Sequence, residues 1–290
     1  MSVERIISID DPRVAAYRNL RDRTLRGENL FVAEGRWLVE RLLASRFTTE
    51  SLLVSEGYAE EFIPKVGGRV PVYAAAEHLL REVVGFPFHR GVLAAGRRGP
   101  ALSLEGILND AVTATGGTLR LAVLPEVTKP ENLGLVFRSA AAFGLTGVLL
   151  GERSCDPLSR RCLRTSMGAA LVAPFVKVGN LAAALAELKE RWGVALLATV
   201  LDPSAEEVQS VAWPERLGLV VGNEAEGLAP VWQALCERRV TIPVACAVDS
   251  LNLGVAASIV FYEMTRSAGR PPGLSLPTRG APAQRRSDRS

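Results

Sequence analysis

Six short apolar runs punctuate the second half of this 290-residue chain: LRLAVL from Leu119, GVLL from Gly147, VAPFVKV from Val172, VALLATV from Val194, LGLVV from Leu217 and VTIPV from Val240. Each has the length of a strand, and most are apolar throughout rather than alternating. A strand of that kind is buried on both faces, as in a parallel sheet covered by helices. Helical patterns separate the runs, so the chain is predicted to be α/β with a mostly parallel sheet. Three segments then pass from an apolar run into Gly, Asn, Glu or Ser: Leu121 to Gly151, Leu217 to Leu228, and Thr241 to Arg266. Ligands of open α/β sheets collect at such strand ends, and three polar junctions in one sheet predict a site.

The length suits two domains. Residues 1–98 hold FVAEGRWLVERLLAS, a strand leading into an amphipathic helix, and strands at SLLVS, VPVYAA and GVLAAG, which together predict a small α/β layer domain. Residues 99–118 read as a linker with a short helix near Leu102–Asn109. Residues 119–267 form the second domain, and the Pro-, Gly-, Ser- and Arg-rich tail 268–290 is expected to be disordered. No apolar run approaches the ~20 residues of a membrane span. The charged N-terminus does not resemble a signal peptide. Cys155, Cys162, Cys236 and Cys246 show no metal-binding spacing, so reduced thiols, a cytoplasmic protein and no metal are expected.

Four of the 34 basic residues are lysine, so the positive charge is almost entirely arginine, a planar fork suited to phosphate. Arg13, Arg18, Arg21, Arg23 and Arg26 fall in one stretch and, with Arg36, predict a strip for RNA phosphates. An ordinary solvated helix face would give the same pattern.

Arg138 sits in NLGLVFRSAAAFG among Val136, Phe137, Ala140, Ala141 and Phe143. A charge in so apolar a helix calls for a partner or a function. Asn132 and Arg138 are both read as lying near the N-terminal end of that helix, where free N–H groups favour anions. Glu224 stands between Gly222 and Gly227, with Glu226 as the solvated acid of the turn. Ser250 and Asn252 open the last helix. One of them should be its N-cap, and Asn252, read as past the cap, is the functional candidate. His78 and His89 are too few for histidine chemistry, and the absence of GxGxxG after the first strand of either domain argues against a dinucleotide oxidoreductase.

Together the three segments resemble the signature motifs of the SpoU (TrmH-like) branch of the SPOUT RNA methyltransferases. The matching residues are Pro130, Asn132, Gly134, Arg138, Ala140 and Gly144, then Gly222, Asn223, Glu224, Gly227 and Leu228, then Ile242, Pro243, Ser250, Leu251, Asn252 and Ala256. DPLSRRCLRTSMGAALVAPF, with Ser166 and Gly168, is similar to the family's connecting segment, and the FVAEG domain resembles its ribosomal-protein-like substrate-binding domain.

The resemblance implies transfer of a methyl group from S-adenosylmethionine to a ribose 2′-hydroxyl. Arg138 would be catalytic, as base or as electrostatic anchor, supported by Asn132, Glu224, Ser250 and Asn252. The cofactor would lie on Gly222, Ile242, Leu251 and Thr199. It further implies a C-terminal trefoil knot, a homodimer and a structured RNA substrate, ribosomal RNA before tRNA. A tRNA methyltransferase, or a non-catalytic RNA-binding protein on the same fold, is the alternative.

Overall fold

The computed structural model describes residues 3–20, 29–88, 91–223, 226–245 and 250–266. Arg21, Arg23, Arg26, Glu224 and the tail 268–290 lie outside the described residues, so the expectations placed on them are not addressed by it.

The N-terminal unit is a five-stranded sheet of β1 (Glu4–Arg5), β2 (Leu30–Glu34), β3 (Thr48–Ser55), β4 (Val72–Ala75) and β5 (Val92–Arg97), in the order β1-β4-β3-β5-β2. The pairs β1–β4 and β3–β4 are parallel, and β5 runs antiparallel to β2 and β3. Helices α1 (Arg36–Leu43), α2 (Ala59–Val66) and α3 (Glu77–Val84) pack around it. Gly35, at φ 93, makes the corner between β2 and α1, a backbone shape that suits glycine.

The second unit contains α4 (Leu104–Thr115), β6 (Leu119–Leu124), α5 (Pro130–Ala142), β7 (Gly147–Gly151), α6 (Arg160–Thr165), β8 (Phe175–Val178) and α7 (Leu181–Glu190). Beyond these come β9 (Ala195–Thr199), β10 (Glu206–Glu207), β11 (Arg216–Val220), α8 (Pro230–Gln233), β12 (Arg238–Thr241) and α9 (Leu253–Arg266). The sheet order is β10-β12-β9-β11-β6-β7-β8, and each of these pairings is parallel. Both faces are covered. Ala122 and Leu124 join the core that also holds residues of α5, α6 and α9, whereas Leu121 and Val123 join that of α4 and α7. This explains why the central strands are mostly apolar rather than alternating. Two boundaries differ from expectation. Val172, at the start of VAPFVKV, is 49% exposed and precedes β8, and the last expected strand begins earlier, at Arg238.

The segment 99–118 is not chiefly a linker. Ser103 Oγ accepts from Gly106 N at 3.0 Å to cap α4, and Gly116, at φ 70, ends it. Between them Ile107 and Leu108 enter the core shared with β6, β7 and α7. The two units also share a core: Leu38, Val39 and Leu42 of α1 cluster with Leu163, Ala169 and Ala170. Gly168, at φ 79, lies so close to α1 that a Cβ there would stand 2.9 Å from Arg41 Cδ and Leu38 Cδ2. Among the described residues no helix is long and apolar enough to cross a membrane. Burial pushes the Cys236 thiol up to about 12, with Glu237 adding to the effect, which leaves it protonated and unreactive.

If α4 belongs to the second unit, Leu108→Ala should lower the unfolding free energy by about 2–5 kcal/mol, as for other fully buried leucines. Urea titration followed by circular dichroism reads this. A loss under about 0.5 kcal/mol, the size seen at ordinary surface positions, would return the segment to the status of a linker.

Candidate functional site

Where β9, β11 and β12 end, the chain turns away from the sheet and leaves a cleft of about 580 Å³. That volume lies within the range of small-molecule sites. Thr199, Gly222, Ile242, Ser250 and Leu251 all line it, although they come from four separate segments. Thr199 is tied back to the sheet by donation from Oγ1 to Val220 O at 3.2 Å. Val221, Leu228, Leu253 and Val260 make part of the wall apolar.

The glycine loop after β11 is shaped by its own backbone. Asn223 N donates to Gly227 O at 3.0 Å and Gly227 N returns a bond to Asn223 O at 3.1 Å. Asn223 Oδ1 accepts from Glu226 N at 2.8 Å. A Cβ on Gly222 would fall on the Gly227 carbonyl, so no larger residue fits without opening the loop. Gly227, at φ 68, completes the turn. Glu226, read from sequence as a solvated acid, is exposed but also lines the cleft.

Asp202 and Arg239 close one side of the cleft through an ion pair at 2.8 Å. The Asp202 carboxyl is lowered first by the hydroxyl and amide of Ser204 and then by Arg239. Asn223, Asp202, Arg239 and Gln233 are lining residues not singled out as site candidates from sequence. Asn223 was within reach, because it belongs to the second motif. Asp202 and Arg239 were not, because their pairing across 37 residues leaves no local pattern.

Two of the motifs meet directly. Asn252 Nδ2 donates to Asn132 Oδ1 at 2.9 Å, and Asn132 is buried. Asn252 Oδ1 meanwhile accepts from Gly254 N at 3.0 Å and Val255 N at 3.4 Å. This corrects the sequence reading: Asn252 immediately precedes α9 and is itself the N-cap, so one side chain both caps the helix and holds Asn132. Ser250 lines the cleft and is exposed.

Arg138 also stands differently from expectation. It is the ninth residue of α5 and exposed, beyond the first turn where free N–H groups gather. Val136, Phe137 and Ala140 are buried, while Arg138 points to solvent and does not line the cleft. Of the proposed RNA contacts, Arg13 is bound to Glu4 at 2.7 Å and to Asp11 at 2.5 Å. Arg18 donates to the Asp11 carbonyl at 2.8 Å, and Arg36 pairs with Glu61 at 2.9 Å. The described members of the basic strip are therefore held within the N-terminal unit.

The model of the SpoU rRNA Methylase family matches residues 120–262. An uncharacterized tRNA/rRNA methyltransferase of Mycobacterium tuberculosis is 37% identical over 277 residues, 92% of this chain and 93% of that protein. The 23S rRNA (guanosine-2′-O-)-methyltransferase RlmB of Acinetobacter baylyi is 34% identical over 197 residues, 68% of this chain and 79% of its own. Among solved structures, the AdoMet-bound rRNA methyltransferase of Sinorhizobium meliloti has a TM-score of 0.75 at 25% identity. That match covers 91% of this chain and 98% of that one.

The double duty of Asn252 has a measurable consequence. Asn252→Ala removes a cap, which costs about 1 kcal/mol, and strands a buried amide oxygen, at roughly 1–3 kcal/mol. Denaturant titration should show a loss of about 2–4 kcal/mol from these two terms together. Asn252→Asp, which keeps the cap and loses only the donor, should fall between this variant and the wild type. If Asp proved as damaging as Ala, the cap would be irrelevant.

Proposed function

The chain belongs to the SpoU rRNA methylase family, and we propose that its cleft at the ends of β9, β11 and β12 holds S-adenosylmethionine for methylation of a ribose 2′-hydroxyl in ribosomal RNA. The observation that carries this reading is the convergence of Thr199, Gly222, Ile242, Ser250 and Leu251 on that one cleft. The site fits the cofactor. Its apolar wall suits an adenine, the glycine loop lets backbone approach a ribose, and the Asp202–Arg239 pair offers both charges to an amino-acid end. When bound, S-adenosylmethionine supplies a sulfonium methyl, so neither a metal nor a covalent enzyme intermediate is required.

The residues then divide the work. Arg138 presents a fixed fork of N–H donors, suited to anchoring a phosphate and stabilising the ribose oxygen as negative charge develops on it. Asn132 and Asn252 hold the start of α5 against the start of α9. Ser250 offers a hydroxyl at the cleft, and Glu224 would orient Arg138. Because Arg138 stands outside the cleft of its own chain, the reading includes a homodimer in which the partner completes each site. Val255 and Tyr262, exposed at 45% and 50% on α9, support a face of that kind. The return of α9 from the β12 side of the sheet to pack on α5 supports the threaded C-terminus implied by the family. We place the enzyme in the cytoplasm, and ribosomal RNA is favoured over tRNA by the A. baylyi relative.

Arg138→Ala should lower turnover on ribosomal RNA by about 100-fold or more, in the range of lost oxyanion donors, with S-adenosylhomocysteine affinity by calorimetry within twofold of wild type. Near-normal turnover would remove Arg138 from the chemistry. Nucleoside digestion of the product should yield 2′-O-methyl species, and base-methylated nucleosides would overturn the reaction. Sedimentation should give a dimer at micromolar concentration, whereas a fully active monomer would exclude completion of the site by a partner.

A further inference from the structure

Two motifs left without a task by the methyl-transfer site meet at the junction of the units: FVAEG, which ends β2, and SRRCLR, which forms α6. Glu34 of the first is 4% exposed. Its Oε2 accepts from Arg160 Nη2 at 2.8 Å and lies 3.6 Å from Arg164 Nη1. Arg160 Nη1 donates to the Leu20 carbonyl at 2.5 Å, and its guanidinium lies 4.7 Å from the centroid of the Phe86 ring. One arginine of the catalytic unit thus engages three separate segments of the N-terminal unit. A second tie runs beside it, where Arg98 grips Asp156 with two bonds at 2.9 and 2.5 Å.

We infer that Glu34 is a positioning residue, which through Arg160 and Arg164 sets the RNA-binding unit at a fixed place relative to the methyl-transfer site. The inference rests on the methyltransferase reading above and adds a role that reading does not contain. A buried ion pair is a poor device for stability, because well-packed apolar residues often do as well. What it supplies is direction. Apolar packing is non-directional, whereas a carboxylate, a guanidinium, a carbonyl and a ring fit together in one register.

The register reaches the site through α6. Gly134 of α5 approaches α6 so closely that a Cβ would stand 2.7 Å from Thr165 Cβ and 2.9 Å from Cys162 O. A shift of α6 therefore moves α5, which carries Asn132 two residues earlier and Arg138 one turn later. A fixed frame of this kind lets RNA held by the first unit present one ribose to the cleft. Small misplacements of a reacting group cost large factors in rate.

The test compares wild type, Glu34→Gln and the double variant Glu34→Gln/Arg160→Gln, with transcribed ribosomal RNA as substrate, S-adenosylmethionine as methyl donor and S-adenosylhomocysteine as the binding probe. The single variant strands a buried cation and is set aside if it fails to fold. The double variant leaves no such charge at Arg160 and decides the matter. The expected result is S-adenosylhomocysteine affinity within twofold of wild type, a tenfold or greater fall in kcat at saturating RNA, and methylation spread to riboses beside the wild-type position. Wild-type kcat and an unchanged methylation map would overturn the inference. So would an unfolded double variant or one that no longer binds S-adenosylhomocysteine, since either makes the cluster a structural support. If the wild type itself neither binds that probe nor methylates RNA, the methyltransferase reading falls first, which distinguishes the two failures.

Discussion

Helix α5 touches both α6 and α9 at backbone distance only because Gly134 and Gly254 lack side chains. A Cβ on Gly134 would overlap the last turn of α6, and one on Gly254 would fall on Leu135 of α5. Overpacking a close-fitted contact forces backbone shifts, so the three-helix contact depends on these two positions. With it come the Asn132–Asn252 bond and the Ser139–Ser258 hydroxyl pair at 2.5 Å. The first motif is thereby set against the third.

The sheet explains why the cleft forms where it does. β9, β11 and β12 run parallel, so their carboxyl ends open on the same side. The backbone groups that leave the ladder there need partners, and the loop after β11 meets part of this need with its own Asn223–Gly227 bonds. What remains is a wall with apolar side chains along it and polar backbone at its edge. Small ligands with a flat ring and a charged end favour such walls. The same parallel arrangement that buries the strands on both faces therefore produces the site at their ends.

The central strands were legible in the sequence because burial on both faces leaves them mostly apolar rather than alternating. The cleft was legible through its glycines and short polar residues, which mark places where backbone approaches backbone. The parts that escaped are those fixed by distant partners. The helix expected near Leu102–Asn109 is present, but its extension to Thr115 escaped, because only Ile107 and Leu108 of α4 are fully buried, too few for a clear period. The neighbours of Arg138 were read as surrounding it, yet they turn inward while it turns out. The cap position of Asn252 depended on a one-residue boundary, the least certain feature of any helix.

The arginines of the N-terminal unit fall into two physical classes, and the difference bears on how RNA is met. Arg13 and Arg36 keep side-chain exposures of 38% and 54% in their pairs with Glu4 and Glu61. Water screens such pairs and they hold little energy, so a phosphate can replace the carboxylate with small net change. Their engagement in the free protein does not argue against RNA contact. The pair of Glu34 with Arg160 is of the other class, with side-chain exposures of 5% and 17%. Removing Glu34 strands the buried Arg160 charge, and the depth of the pair keeps a phosphate from exchanging into it. The exposed arginines can thus exchange partners, and the buried one is committed to geometry. The arginine-rich composition read from the sequence does not separate the two classes, whereas the depth of each carboxylate does.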